Sequence, residues 1–286
     1  MDNRFFLQKN ETSGRPRNDP QALLGHPVPL SPKEESKLVI IKTPEQIEQM
    51  AKAGKILTAC HRELRKLIRP GITTMQINDF ADAFIHSRGA KAEQKGYHGY
   101  PFATCASVND EICHGFPTQR PLRKGDIVTI DMVVGLGGWM ADSAWSYPVG
   151  QISKQAEKLL RVTKECLYMG IEKAVSGNRL GDISYTIQTH AEANGFSVVR
   201  DYTGHGIGQA MHEAPEVLHF GYPHKGLLLR EGMVFTIEPM INLGSYGLTI
   251  DLNSWTARTA DGSLSAQYEH TVAITKNGPL VLTEQD

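Results

Sequence analysis

The sequence predicts an α+β fold built from two pseudo-symmetric halves that share one sheet, with helices on one face. Three observations predict it. A helix–helix–strand order occurs twice, and an offset of 106 residues pairs Gly71 with Gly177, Ile77 with Ile183, Gly89 with Gly195 and Cys60 with Cys166. The helical segments carry one apolar stripe each, so each has one face to bury. Strand-like segments around residues 103–108 and 127–147 follow the first helix pair, so each half supplies helices to cover one face of a shared sheet.

Residues 1–41 stand apart. Pro16, Pro20, Pro27, Pro29 and Pro32, with few large apolar residues, predict an extended or disordered arm. Within it, Pro27-Val28-Pro29-Leu30-Ser31-Pro32 suits a polyproline segment or a surface linker. The folded domain is expected over residues 42–286. Thr43-Pro44-Glu45-Gln46 is a capping box with proline at the first helical position. Ile47, Met50, Ala51, Leu57, Cys60, Leu64, Leu67 and Ile68 continue a helical stripe until Pro70-Gly71. A second helix begins at Thr73, with Gln76 three residues on, presents Ile77, Phe80, Ala81, Phe84 and Ile85, and stops at Gly89. Strands are expected around residues 103–108 and 127–147. The second half repeats the order: a helix from about Ser153 to Val175, then one capped by Asp182 that ends at Gly195.

Composition excludes several classes. Of 286 residues, 40% are hydrophobic and 21% charged, as in an ordinary globular protein. A net charge of −1 offers nothing to nucleic acid or an anionic membrane. No apolar run reaches the length of a membrane span, and Met1 to Lys9 lack the apolar core of a signal peptide. Cys60, Cys105, Cys113 and Cys166 form no CxxC pair and are too sparse for a disulfide framework. They fit reduced thiols in a cytoplasmic protein. No coiled-coil signal is present, so a monomer is expected.

Chemistry concentrates in four places. Residues 203–215 read Thr-Gly-His-Gly-Ile-Gly-Gln-Ala-Met-His-Glu-Ala-Pro. The spacing of Gly204, Gly206 and Gly208 is not that of a dinucleotide fingerprint, and Pro215 interrupts the helix such a site needs. The glycines instead let the backbone turn so that His205 and His212 enter one polar site. Next, Ile127 to Asp131 and Trp139 to Asp142 flank an apolar run closed by glycines, which reads as a hairpin. A turn centred on Leu136-Gly137 places Asp131 directly opposite Asp142 on one face; a bulged turn would point them apart. Like charges so placed in a buried sheet are destabilising, and a cation between them removes the conflict. Finally, Glu238 and Glu269 each interrupt a buried-looking strand, residues 233–241 and 267–274. Together these residues form an oxygen-rich set with one or two nitrogen donors. Such a set suits paired divalent ions of the manganese, iron, cobalt or zinc kind, and no EF-hand loop for calcium is present.

With Asp131, Asp142, His205, Glu238 and Glu269 in this order, the chain resembles the type I methionine aminopeptidases over roughly residues 43–283. The motifs are Gly96 to Pro101 (GYHGYP), Asn109 to Gly115 (NDEICHG), the Thr203 to Pro215 stretch, Phe235 to Pro239 (FTIEP) and Ser265 to Thr271 (SAQYEHT). The resemblance implies a pita-bread fold, two halves sharing an antiparallel sheet with helices on the outer face and two divalent ions between them (cobalt, manganese, iron, zinc or nickel). It implies that Asp131 binds one ion, that Asp142 and Glu269 bridge both, and that His205 and Glu238 bind the second. Glu238 matches the acid/base residue, His212 the residue that stabilises the oxyanion, and His114 one that contacts the scissile amide. Tyr97, Tyr100, Met211 and Trp255 match the methionine pocket, where ring edges suit a thioether.

Three positions depart from the common pattern: Gln94 where bacterial forms have cysteine, Met211 for phenylalanine, and Ala141 for glycine. The implied activity is removal of the initiator methionine from nascent chains with a small second residue. Contact with the ribosome through the N-terminal arm is a further expectation. Proline-specific relatives on the same fold carry a full domain before the catalytic one. Type II methionine enzymes carry a long insertion between the positions of His212 and Glu238, where this chain has 25 residues. Binding proteins that have lost the activity have also lost ligands that this chain retains.

Overall fold

The structure is a computed structural model that describes residues 38–285. The expected arm falls outside the described residues up to residue 37. Helix α1 (Pro44–Leu67) opens as expected: Gln46 donates its backbone N–H to Thr43 Oγ1 at 3.3 Å, and Thr43 N–H reaches Gln46 Oε1 at 2.9 Å. Helix α2 (Thr74–His86) repeats the box with Thr73 and Gln76. Helix α3 (Lys154–Lys173) is capped by Ser153. Helix α4 (Leu180–Ala193) starts earlier than expected. Asp182 is not its cap but lies in the first turn, where its carboxylate accepts from Arg179 N–H at 2.8 Å.

The repeat extends to the backbone. At the same offset α1 and α3 end together, α2 and α4 begin together, and strands β1 (Lys91–Ala92) and β6 (Ser197–Val198) coincide. Gly71 and Gly177 have φ of 95° and 96°, a left-handed conformation that glycine adopts without cost to a side chain.

Every strand pairing is antiparallel. In the first half, β4 (Ile127–Leu136) pairs with β1, with β2 (Cys105–Val108) and with β5 (Trp139–Pro148). In the second, the order is β15 (Gly278–Val281), β14 (His270–Thr275), β9 (Val234–Ile237), β7 (Gly204–Gly206) and β8 (Glu213–Val217). Two smaller ladders complete it: β13 (Ser265–Gln267), β10 (Met240–Asn242) and β6, and then β11 (Leu248–Ile250), β12 (Ala257–Thr259) and β3 (Glu111–Cys113). The halves meet where Glu269 N–H bonds to Ala144 C=O at 2.8 Å, joining β5 to the segment between β13 and β14. Leu57 and Leu64 of α1 and Leu159 and Leu167 of α3 share one core with Ile130, Met132, Phe235 and Ile237. Burial of this apolar stripe, not helix propensity, holds the helices on the sheet.

Two expectations are corrected. The β4–β5 hairpin turns at Gly137-Gly138, not Leu136-Gly137, so Asp131 pairs with Ala144 and Asp142 with Val133. Both turn glycines have positive φ, 59° and 82°, as a tight hairpin turn requires and as leucine resists. The aspartates are therefore diagonal neighbours on one face rather than direct partners. The runs 233–241 and 267–274 are not continuous strands either. The first breaks between β9 and β10, at Glu238-Pro239; the second breaks between β13 and β14, at Tyr268-Glu269. Ile237 pairs with His270 and Met240 with Gln267, so one register crosses the break and sets Glu238 against Glu269. Pro239 has no N–H to contribute to a ladder there.

Candidate metal centre

The breaks free two carboxylates from the ladder and aim them at the aspartates of the other half. Asp142, His205 and Glu269 each bring a ligand atom within 4.8 Å of the others. Asp142 Oδ2 and Glu238 Oε1 both lie 3.6 Å from His205 Nε2. Asp131 joins from β4, two positions along the strand from the residue paired with Asp142. The site thus draws Asp131 and Asp142 from the first half and His205, Glu238 and Glu269 from the second.

The protonation of His205 shows what this arrangement can hold. Its Nδ1 lies 3.0 Å from the Gly206 carbonyl, which can only accept, so Nδ1 carries the proton. Burial pushes the imidazole pKa down to about 4, so the ring is neutral and Nε2 presents a lone pair. That lone pair faces two carboxylate oxygens. Asp142 Oδ1 and Glu269 Oε1 are buried without a hydrogen-bond partner among the described residues. Burial raises the pKa of all four carboxyls; the charge of Asp131 adds to this at Asp142, and that of Asp142 at Glu269. Lone pairs converging in a buried space with orphaned oxygens fit divalent cations, and a backbone-oriented histidine is the usual form of such a ligand.

Surrounding groups hold the donors still, and the sequence reading missed them. Thr236 Oγ1 accepts from His205 N–H at 2.9 Å and donates to Glu238 Oε1 at 2.8 Å, tying the two together. Gln267 Nε2 donates to the other Glu238 oxygen at 3.3 Å. His219 Nε2 accepts from Glu238 N–H at 3.1 Å. Thr271 Oγ1 bonds both the N–H and the C=O of Asp142, at 2.9 and 2.8 Å. Thr236 and Gln267 each precede a glutamate by two positions, so strand alternation alone would have placed them on its face. Nothing in the sequence marks His219.

His212 stands beside this cluster, its ring centroid 4.3 Å from that of His205. Its Nδ1 is 2.7 Å from the Tyr97 hydroxyl, and burial, then the neighbouring His205, pushes its pKa down to about 2. His114 lies at the end of β3 in a left-handed conformation, φ 56°, with its ring edge-on to Tyr202 at 5.2 Å and to Trp255 at 6.1 Å. Tyr100 meets Trp255 edge-to-face at 5.1 Å. Met211 is buried in a cluster against which Tyr97 packs. The pocket residues therefore form two groups, one beside His212 and one beside His114. Gln94 is buried next to Asp131 and Cys105. Ala141 is buried on β5, opposite Val134.

Residues 48–276 match the profile of Metallopeptidase family M24. Methionine aminopeptidase of Clostridium perfringens is 51% identical over 246 residues, 86% of this chain and 99% of the relative. Methionine aminopeptidase 1 of Bacillus subtilis is 48% identical over the same shares. The crystal structure of methionine aminopeptidase from Rickettsia prowazekii superposes with a TM-score of 0.85 at 42% identity, covering 86% of this chain and 100% of that one. The prolidase of Pyrococcus horikoshii OT3 reaches 0.71 at 22% identity, over 87% of this chain and 65% of that one, and shares the fold alone. The pita-bread fold and the buried carboxylate–imidazole cluster agree with these matches: the chain belongs to metallopeptidase family M24, in its methionine aminopeptidase branch.

Proposed function

We propose that this chain hydrolyses the first peptide bond of polypeptides that begin with methionine, with Asp131, Asp142, His205, Glu238 and Glu269 holding two divalent ions. The single observation that carries the reading is the convergence of Asp142 and Glu238 on the unprotonated Nε2 of His205, beside orphaned oxygens of Asp142 and Glu269. When bound, the ions supply a Lewis acid that polarises a carbonyl and acidifies water. An oxygen-rich set with one imidazole suits manganese, iron, cobalt, nickel or zinc.

The chain's own residues account for the rest. Glu238 takes a proton from the attacking water and returns it to the leaving amine; Thr236 and Gln267 keep its carboxylate in place between these steps. His212 stays neutral, so it acts as a hydrogen-bond donor rather than a proton source. With the Tyr97 hydroxyl donating to Nδ1, Nε2–H is left to meet the oxyanion. His114, likewise held neutral by burial, with a pKa near 4, contacts the scissile amide. Tyr97, Tyr100, Met211 and Trp255 receive the methionine side chain. A bulky second residue clashes near the carboxylates, so small second residues are preferred.

The substrates are the N-termini of nascent chains in the cytoplasm, met by a monomer whose N-terminal arm is the segment available for ribosome contact. Among the described residues no helix is long and apolar enough to cross a membrane.

The test is hydrolysis of Met-Ala-Ser, a Met-Lys peptide and an Ala-Pro peptide after chelation and re-addition of manganese or cobalt. Metal-dependent release of methionine from Met-Ala-Ser, with the Met-Lys peptide spared, is the expected result. Equal cleavage of both methionine peptides overturns the specificity. Cleavage before proline moves the assignment to the prolidase side of the fold. No cleavage with metal bound leaves a binding protein. Glu238→Gln is expected to lose a factor of about 10² to 10⁴ in turnover while remaining folded.

A further inference from the structure

A buried ion pair lies outside the carboxylate cluster and touches the loop that carries His212. The side chains of Lys42 and Glu213 are 1% and 7% exposed. Lys42 Nζ donates to Glu213 Oε2 and to the Ile40 carbonyl. The other oxygen of Glu213 accepts from the backbone N–H groups of Gln209 and Ala210, at 3.0 and 3.3 Å. One carboxylate thus ties Lys42 to the turn that immediately precedes Met211 and His212. The packing is close: a Cβ on Gly208 would stand 2.6 Å from Glu213 Oε1 and 2.8 Å from Lys42 Cε. The Gly208 carbonyl accepts from Met140 N–H at 2.9 Å, which fixes the far side of the loop to β5. Lys42 is anchored in turn, because its N–H bonds to the Gly232 carbonyl at 2.8 Å, just ahead of the strand that leads to Glu238.

A buried ion pair is a poor source of stability, since desolvating both charges offsets their attraction. What this pair does provide is direction. Among the described residues, the hydrogen bonds of the Glu213 carboxylate go to Lys42 and to the loop before His212, and none to the metal ligands.

We propose that Lys42 and Glu213 are positioning residues for His212, holding the loop of residues 207–213 at the geometry the imidazole requires. The proposal rests on the reading of His212 as a group that faces substrate.

The test compares Lys42→Met, Lys42→Arg, Glu213→Gln and the double variant Lys42→Met/Glu213→Gln. Two readouts are taken: kinetics on Met-Ala-Ser in manganese, and imidazole resonances of ¹⁵N-histidine protein, with His212 assigned by its loss in His212→Ala. Lys42→Met is expected to lower kcat roughly 10- to 100-fold, the scale of an ångström-level misplacement, and to change KM by less than about threefold. Lys42→Arg restores kcat to within about threefold, and the double variant loses less than the product of the two single losses. The His212 signals shift in Lys42→Met and return in Lys42→Arg, while metal stoichiometry stays that of the unaltered protein. A folded Lys42→Met protein with unaltered kcat and unshifted His212 signals overturns the proposal. If Lys42→Met does not fold, Glu213→Asp decides: a shorter carboxylate that leaves kcat and the His212 signals untouched also overturns it. If the unaltered enzyme releases no methionine, the functional reading fails separately, and the imidazole shifts still decide the positioning.

Discussion

Thr236 shows how much a single hydroxyl decides at this site. It accepts from His205 and donates to Glu238 in one hydrogen-bonded line, so its proton must point at the carboxylate. Replacing it with valine keeps the shape but leaves a buried N–H unsatisfied and releases one glutamate oxygen. Thr236→Val is therefore expected to cost about 1–3 kcal/mol in stability, read from urea midpoints. It should also weaken metal binding by roughly 10- to 100-fold in a competition titration, the usual range for groups that orient ligands. Unchanged metal affinity would show that Glu238 keeps its place without help. At this scale the sequence was informative about identity: the four carboxylates were named from their strand and hairpin context and His205 from its glycine-rich stretch, and Asp142, Glu238 and Glu269 gather around His205. It was silent on His219 and Lys42, because their partners lie in distant segments and neither sits at a spacing that marks a partner.

At the scale of elements, α1 is fastened to β5 by a buried histidine. His61 Nε2 meets the Ser143 carbonyl at 3.2 Å and Nδ1 the Tyr147 hydroxyl at 2.8 Å, and burial pushes the His61 pKa down to about 4. An unfolded histidine titrates near 6.5, so between these values the unfolded chain binds the extra proton. The stability from this group is thus complete above about pH 6.5 and declines as pH falls toward 4, by an amount on the order of 3 kcal/mol. His61→Gln should flatten the pH dependence of the urea midpoint between about pH 7 and about pH 5. An unchanged slope would assign the acid sensitivity to the other buried histidines. The helix ends agreed with the sequence because caps are local: Thr43 and Gln46, or Thr73 and Gln76, satisfy each other within one turn. Asp182 was misplaced by the same logic, since a carboxylate serves a helix start equally from the first turn. The aspartate register failed for a reason also local but subtler. Two consecutive glycines accept positive φ where leucine does not, and a turn displaced by one residue shifts all of β5 against β4.

For the whole molecule, the two halves are held together around like charges. Metal binding to the native state alone stabilises it by roughly 3 kcal/mol at a metal concentration about 100 times Kd. Manganese or cobalt should therefore raise the melting temperature, and chelation should reverse the gain. Asp142→Asn should abolish that gain, yet in chelator its protein should melt no lower than the unaltered one, because a buried charge has been removed. A lower melting temperature for Asp142→Asn in chelator would mean that the apo site is held by something other than repulsion relieved. The sequence by itself determined the repeat, the helices with the caps of α1 and α2, and which residue types carry the chemistry. Each of these is written in contiguous residues as periodicity, spacing or a capping pair. Only the tertiary structure decided where the strands break at Glu238 and Glu269, which nitrogen of His205 faces the carboxylates, and that Lys42 pairs with Glu213. Those depend on which distant segments are pressed together when the shared core is buried, and burial is a property of the assembled chain.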